Sequence, residues 1–263
     1  MTPSDTDPRE RRILDLVRDH GLVDIGALAQ QFGVTPQTVR RSVNRLSERG
    51  LLRRVHGGVT LPAAGTNLPW ETRQVQHLEG KQRIAAAVAA HIGDGASVAI
   101  GLGTTPHQVA LALRARRGLR VVTNSLRVVF ALAGAEGLEI AVAGGFLRPA
   151  DLDVVGDAAV RCFAGFKTDF AVFGVGGIDE DGALLDFDPA EVAAREAMRQ
   201  NCRQSLLVAD ASKFGRAALA RGARLADIDH LFLDALPGPA FRPLLEGGRP
   251  QVHVAAEAGE AAR

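Results

Sequence analysis

The sequence is poor in everything that marks a secreted, membrane-spanning or metal-bound protein. Its 263 residues include only two cysteines, Cys162 and Cys202. These make no CxxC pair and are too few for a disulfide framework, so reduced, buried or half-buried thiols are expected. No run of about 18 apolar residues is available to cross a bilayer. The first residues, MTPSDTDPRERR, are polar and lack the apolar core of a signal peptide. A cytoplasmic location is expected. The seven histidines have neither HxxxH nor HExxH spacing, so no metal site is expected. A net charge of +1 leaves room only for a local nucleic-acid footprint. The phosphate loop GxxxxGK[ST] is missing. Gly101-Leu102-Gly103 lacks the third glycine of a dinucleotide fingerprint, and Thr123-Asn124 stand where its acid belongs. No nucleotide cofactor is expected.

What the sequence does contain is basic charge in one place. Through Thr60 there are ten arginines against seven acids, and the excess follows Pro36. Thr35 is suited to cap a helix and Pro36 to open it. Val39, Val43 and Leu46 form one apolar stripe. Gln37, Thr38, Arg40, Arg41, Asn44 and Arg45 occupy the remaining faces. Gly50 ends the helix. Residues 51–56 read as a strand and Gly57-Gly58 as its turn. Upstream, Pro8 opens a helix carrying Ile13, Leu14 and Val17 that stops near His20-Gly21. Asp24 caps a second, over residues 25–32. Two short helices joined by a glycine-containing turn, followed by a basic hairpin, predict a winged helix-turn-helix. Gln37, Thr38, Arg40, Arg41 and Asn44 are the candidates to read base edges. Arg45, Arg53, Arg54 and His56 are the candidates to hold phosphates.

The predicted organisation is a DNA-binding domain over residues 5–60, a linker over 61–76, a sensor domain over 77–256 and a frayed tail over 257–263. Leu61-Pro62-Ala63-Ala64-Gly65 suits a linker, with Trp70 packing it onto one domain. Beyond it, apolar runs at 97–100, 119–122, 139–142, 169–175, 205–209, 230–233 and 251–254 alternate with helical stretches. These stretches fall at 79–91, 106–116, 126–133, 190–202 and in part of 211–226. The pattern predicts an α/β domain with a mostly parallel, doubly wound sheet.

Open α/β sheets bind ligands beyond the carboxyl ends of their strands. Here those ends offer Gly103-Thr104-Thr105, Asn124-Ser125, Gly145, Gly176-Gly177 and, near the last, Lys213. Gly103-Thr104-Thr105 leads into a helix whose first turn takes Pro106, so free amides and the helix dipole favour an anion. Lys213 is suited to add a point charge. A small phosphorylated metabolite fits better than a nucleotide. The acidic stretch Asp179, Glu180, Asp181, Asp186, Asp188 and Glu191 is either a grip on sugar hydroxyls, an acid–base pair, or a solvated loop.

These segments, in this order, resemble the DeoR-type family of bacterial transcription regulators. The resemblance rests on residues 34–58, Gly103-Thr104-Thr105, Val122-Thr123-Asn124-Ser125, Ala143-Gly144-Gly145, Gly177-Ile178-Asp179 and Asp210-Ala211-Ser212-Lys213-Phe214-Gly215. Asn67-Leu68-Pro69-Trp70 and Leu184-Leu185-Asp186-Phe187-Asp188 place it near the branch that answers to glycerol 3-phosphate. The resemblance implies a ribose-5-phosphate isomerase-like sensor without catalysis. It also implies a homo-oligomer, dimer or tetramer, that represses from double-stranded operator DNA. A phosphorylated sugar or polyol, glycerol 3-phosphate first, would release it. An isomerase-like enzyme with a DNA-binding appendage and a transcriptional activator are the alternatives. Three positions depart from the family pattern: Ser42 and Gly101 stand where aspartate is usual, and Arg195 where lysine often is.

Overall fold

The computed structural model describes residues 7–48, 52–55, 57–60 and 67–255, without the side chains of Arg18, Asp19 and Glu48. Expectations for Arg49, Gly50, Leu51, His56, residues 61–66 and the tail 257–263 lie outside the described residues. The chain divides into two compact units, Met1–Gln76 and His77–Arg263.

The first unit runs α1 (Pro8–His20), β1 (Leu22–Asp24), α2 (Ile25–Phe32), α3 (Pro36–Glu48), β2 (Arg53–Val55), β3 (Gly58–Thr60) and α4 (Trp70–Val75). The expected caps at Asp24 and Thr35 form, and Asp7, which the sequence did not single out, caps α1. The Asp7 side chain accepts from the Arg9 amide, Asp24 from the Ala27 amide at 3.0 Å, and Thr35 from the Thr38 amide at 3.3 Å. Each satisfies a backbone donor that the first helical turn leaves unpaired. Ile13, Val17, Leu28, Val39, Val43, Leu46 and Val59 are completely buried together. Burial of each such side chain stabilises by about 1.5–3 kcal/mol. β3 lies between β1 and β2, antiparallel to both. Gly57 takes the positive φ of 79° that the wing turn needs, whereas Gly58 already belongs to β3. Strand β1 is too short to leave a period in the sequence. Helix α4 stands where the sequence predicts only linker. Its Trp70 is buried and donates to Gln74 at 3.2 Å, and the Arg73 guanidinium lies 5.6 Å from the indole centre.

The second unit begins with α5 (Leu78–His91), β4 (Ser97–Ile100), α6 (Thr104–Leu113), β5 (Arg120–Thr123), α7 (Leu126–Leu132) and β6 (Glu139–Val142). A short hairpin of β7 (Leu147–Arg148) and β8 (Asp153–Val154) follows, then α8 (Asp157–Ala164) and β9 (Thr168–Phe173). The remainder is β10 (Gly177–Ile178), β11 (Ala183–Asp186), α9 (Pro189–Gln200), β12 (Cys202–Ala209), β13 (Ala220–Arg224), β14 (His230–Leu233) and β15 (Gln251–Val254). Seven strands make one sheet in the order β15-β14-β12-β9-β4-β5-β6, every pair parallel. One face packs Ile84, Val88, Val109, Leu113 and Val128 of α5–α7 on Val98, Ile100 and Val172. The other packs Phe163, Ala194 and Met198 of α8 and α9 on Ala99, Val122 and Phe173. Burial on both faces is why the central strands read as unbroken apolar runs.

Two expectations are narrowed. Within residues 211–226 the helical part is confined to 3-10 turns at Ala211–Lys213 and Leu225–Asp227, and Ala220–Arg224 between them pair with β11 as a strand. The acidic stretch is not one unit: Asp188 caps α9, whose first turn takes Pro189, and the acids before and after it divide between surface and interior. Asp179, Glu180 and Asp181 are exposed, whereas Asp186 and Glu191 are buried. The two cysteines are unbridged and half-buried. Burial raises both thiols, Cys202 to about 11, which keeps them protonated and unreactive at neutral pH.

Three histidines meet where α5 ends against β14 and β15. The ring centres of His91 and His230 are 4.8 Å apart, those of His230 and His253 are 5.3 Å apart, and His253 stacks on Phe232 at 4.4 Å. Burial lowers the pKa of His230 and His253, and His91 lowers both further. Folding therefore disfavours their protonation. The unfolded chain takes up more protons as pH falls, so stability is complete above the usual histidine value of 6.5 and declines as pH drops through it. Between about pH 7.5 and 5.5 the urea midpoint of wild type is expected to fall relative to that of His253→Gln, which cannot take up the charge. The Glu191 carboxyl, raised to about 7, contributes in the opposite direction, and the comparison cancels it. Equal pH dependence in both would remove the cluster as the cause.

Candidate nucleic-acid interface and effector site

On α3 the core stripe of Val39, Val43 and Leu46 fixes what the other faces do. Successive residues turn by roughly 100°. Gln37, Arg40, Arg41 and Asn44 therefore lie opposite the core as one face. Gln37, Arg40 and Arg41 are exposed and Asn44 is half-buried. The Asn44 carbonyl oxygen accepts from Arg54 of β2 at 3.0 Å, tying the helix to the wing. An amide group of this kind, with a donor and an acceptor side by side, suits an adenine edge. Arg53 and Arg54 are exposed on the same short strand.

Two candidates are engaged within the unit, although Arg45 stays exposed. The Thr38 hydroxyl lies 3.0 Å from the Thr35 hydroxyl, within the helix cap. Arg45 donates from Nε to Glu10 of α1 at 2.6 Å and from Nη2 to Ser42 at 3.3 Å. Glu10 is only 3 % exposed and Ser42 is buried. The departure at Ser42 thus lies inside the unit, next to a strut between α1 and α3. Arg45→Ala would leave the buried Glu10 carboxylate without this donor. A loss of about 2 kcal/mol in stability is expected, because stranding a buried acceptor costs its desolvation. Urea unfolding followed on the first unit would read it. An unchanged midpoint would return Arg45 to the phosphate-holding set.

The effector candidates lie along the carboxyl edge of five adjacent strands, β12-β9-β4-β5-β6. Gly103, with φ of 123°, turns the chain from β4 into α6, and no side chain caps that helix. Thr104 and Thr105 are buried at its first turn. The Thr123 hydroxyl donates to the Ile100 carbonyl at 2.7 Å and accepts from the Ser125 amide, holding the β5 end beside that of β4. Asn124 donates its side-chain amide to the Val154 carbonyl at 2.8 Å. Its Oδ1 has no partner among the described residues, although the residue is 2 % exposed. A buried acceptor of this kind suits a hydroxyl donor from a ligand. Lys213, on the 3-10 turn after β12, faces Asp210 and Asp186. Burial opposes charge on Asp210, but Lys213, Ser212, His77 and Lys81 hold its pKa below the usual carboxylate range.

The glycines divide. A Cβ on Gly145 would meet Val154 at 3.0 Å and Ala158 at 3.1 Å. One on Gly176 would meet Phe187 at 2.9 Å, and one on Gly177 would meet the Arg216 carbonyl oxygen at 1.9 Å. Close packing calls for glycine at all three, and at Gly145 a φ of 136° does so as well. A Cβ on Gly101 would face Met198 and Phe173, on the α9 side of the sheet.

The sequence did not single out Arg148, Asp153 or the charged group they form. Arg148 donates to both carboxylate oxygens of Asp153 at 2.8 Å, to Asp188 at 2.8 Å and to Glu191 at 2.7 Å. Asp186 accepts from the Gly176 amide at 2.7 Å and pairs with buried Arg195. Burial and the neighbouring Asp186 push the Glu191 carboxyl up to about 7. Of this group only Asp186, Asp188 and Glu191 fell within the acidic stretch the sequence marked. Among the described residues no three side chains are placed to hold a metal ion, and no helix is long and apolar enough to cross a membrane.

A model of the DeoR-like helix-turn-helix domain matches residues 9–64, and one of the DeoR C terminal sensor domain matches residues 76–235. The glycerol-3-phosphate regulon repressor of Escherichia coli K12 is 42% identical over 229 residues, covering 87% of this chain and 91% of that one. The HTH-type transcriptional repressor CsqR of the same strain is 37% identical over 252 residues, covering 96% and 97%. Among solved structures, a ribose 5-phosphate isomerase A from Methanocaldococcus jannaschii matches 53% of this chain and 55% of that chain, with 13% identity and a TM-score of 0.39.

Proposed function

The chain belongs to the DeoR family of regulators, and on that premise we propose that it is a transcriptional repressor released from its operator by a phosphorylated polyol, glycerol 3-phosphate first. It acts as a cytoplasmic homo-oligomer, dimer or tetramer. Residues 5–60 bind DNA, residues 77–256 sense the effector, and residues 61–76 link them. Gln37, Arg40, Arg41 and Asn44 read base edges, and Arg53, Arg54 and His56 hold phosphates. The observation that carries the sensing role is the uncapped start of α6 behind Gly103, with Lys213 at the same sheet edge. Backbone amides at a helix start and one lysine suit a phosphate monoester. The open acceptor of Asn124 suits one of its hydroxyls. Gly145, Gly176 and Gly177 shape the edge through packing, and Ser125 completes the β5 end. Effector and operator compete through states, because a ligand shifts the equilibrium only as far as its affinities for the two forms differ.

An operator shift assay against phosphorylated metabolites, beginning with glycerol 3-phosphate, tests the reading. Thr104→Ala combined with Lys213→Ala is expected to leave operator binding intact. The effector concentration needed for release should rise roughly ten- to a hundredfold, as for the loss of one or two charge-assisted hydrogen bonds. Release at the wild-type concentration would place the phosphate elsewhere.

A further inference from the structure

Resting on the effector site proposed above, we infer that Arg148 and Glu191 are positioning residues of that site: Arg148, held in place by Asp153 and Asp188, is shared between Glu191 and the effector's anion, and the charge on Glu191 sets how much of it the anion receives.

The geometry is that of a clasp. The β7–β8 hairpin leaves the carboxyl edge after β6 and is pinned back onto the end of β5. The Val154 amide donates to the Asn124 carbonyl and the Leu126 amide to the Leu152 carbonyl, both at 2.8 Å. Its turn holds Leu152 at a φ of 53°, a conformation that costs a branched L-residue free energy and persists only where the surroundings impose it. Arg148 ties this hairpin to α9, through Asp188 at the helix start and Glu191 in its first turn. The hairpin supplies the carbonyl that occupies the Asn124 side-chain amide. The clasp thus touches one of the proposed effector residues directly.

Charge makes the clasp conditional. Glu191 is faced by Arg148 of β7, Asp153 of β8, Asp186 of β11 and Asp188 at its own helix start. Arg195 and Lys213 act on the same group through Asp186. Four carboxyls therefore share two guanidiniums, and Lys213 is divided between Asp186 and Asp210. Such a surplus of buried acid repels an incoming phosphate unless one carboxyl is neutral. Glu191 is the group that burial brings to about 7. Neutral Glu191 gives up one of the three carboxylate holds on Arg148 and leaves part of its Nη2 for the anion, while Asp153 and Asp188 keep the guanidinium in place; ionised Glu191 fills that position. Where binding needs the neutral form, affinity falls about tenfold from pH 6 to pH 8. Ionisation of the phosphate itself, near pH 6, is common to wild type and variants and cancels between them.

Calorimetric titration of the full-length protein with glycerol 3-phosphate, and in parallel with inorganic phosphate, tests this at pH 6 and pH 8. Wild type, Glu191→Gln and Arg148→Lys are compared. The expected result is a wild-type affinity that declines about tenfold relative to Glu191→Gln over that interval. Arg148→Lys should bind more weakly at both pH values, and the amides of Leu152 and Val154 should exchange faster in it. An equal pH slope in wild type and Glu191→Gln, with glycerol 3-phosphate still bound, would overturn the clasp and leave the effector reading standing. Phosphate binding with the slope confined to wild type, but no binding of glycerol 3-phosphate, would keep the clasp and overturn that effector. Binding of neither anion would overturn both.

Discussion

Alanine at Gly177 is expected to abolish the folded sensor unit. Its Cβ would lie 1.9 Å from the Arg216 carbonyl oxygen and 2.9 Å from the Arg216 carbonyl carbon. Both are backbone atoms, so no rotamer change relieves the clash. The close approach is fixed on both sides. The Gly215 amide donates to the Ile178 carbonyl at 2.8 Å, and Gly177 pairs with Leu185 of the buried strand β11. Overpacking a core by side chains costs about 1–3 kcal/mol, and a backbone collision exceeds that range. Domains carry only about 5–15 kcal/mol in all. Circular dichroism should show the cooperative sensor transition lost or shifted far downward in urea. Gly144→Ala is the matched control, since a Cβ there has nothing within 4 Å. A Gly177→Ala protein as stable as wild type would mean that β10 does not lie against Arg216 in solution.

The contrast between these two glycines shows what the sequence could convey. Both sit in glycine pairs after apolar runs, and nothing local separates them. Only the return of residues 214–216 past β10 makes Gly177 indispensable. The parallel strands were legible as short apolar runs: the central ones are buried on two faces, and the edge strands β6 and β15 are half-buried yet still carry Ile140, Val142, Val252 and Val254. The caps of α2 and α3 were legible as well, being contacts over three residues. Helix α8 was not: eight residues with only Ala159 and Phe163 buried give too little period to register. The strand Ala220–Arg224 escaped because its partner β11, and not its own composition, satisfies its backbone. The charged cluster was hidden by distance along the chain, with Arg148 and Glu191 43 positions apart. On the carboxyl edge the loops at Gly103, Asn124 and Lys213 were foreseen, because strand ends in such sheets face one way. The division of labour among them required the packing.

Alanine at both Arg40 and Arg41 is expected to lower specific operator affinity about a hundredfold or more, since a good bidentate base contact is worth about 1–3 kcal/mol. Operators selected in vitro from random duplexes, and measured by fluorescence anisotropy at several salt concentrations, would provide the test. Arg40 and Arg41 are exposed on the face of α3 opposite Val39 and Val43. Their removal strands no buried group, so thermal stability should be unchanged. Arg45 supplies the reverse case: its Nε is bonded to buried Glu10, so its loss should lower stability before it touches affinity. The salt dependence separates base readers from phosphate holders. A lost phosphate contact weakens all sequences alike and reduces the slope of log affinity on log salt by about 1. A lost base contact weakens the selected duplex against a random one at nearly constant slope. For Arg40 and Arg41 the second pattern is expected, and for Arg53 the first. Should the double variant bind selected and random duplexes with equally reduced affinity and a shallower slope, the two arginines hold the backbone, and Gln37 and Asn44 alone remain to read the bases.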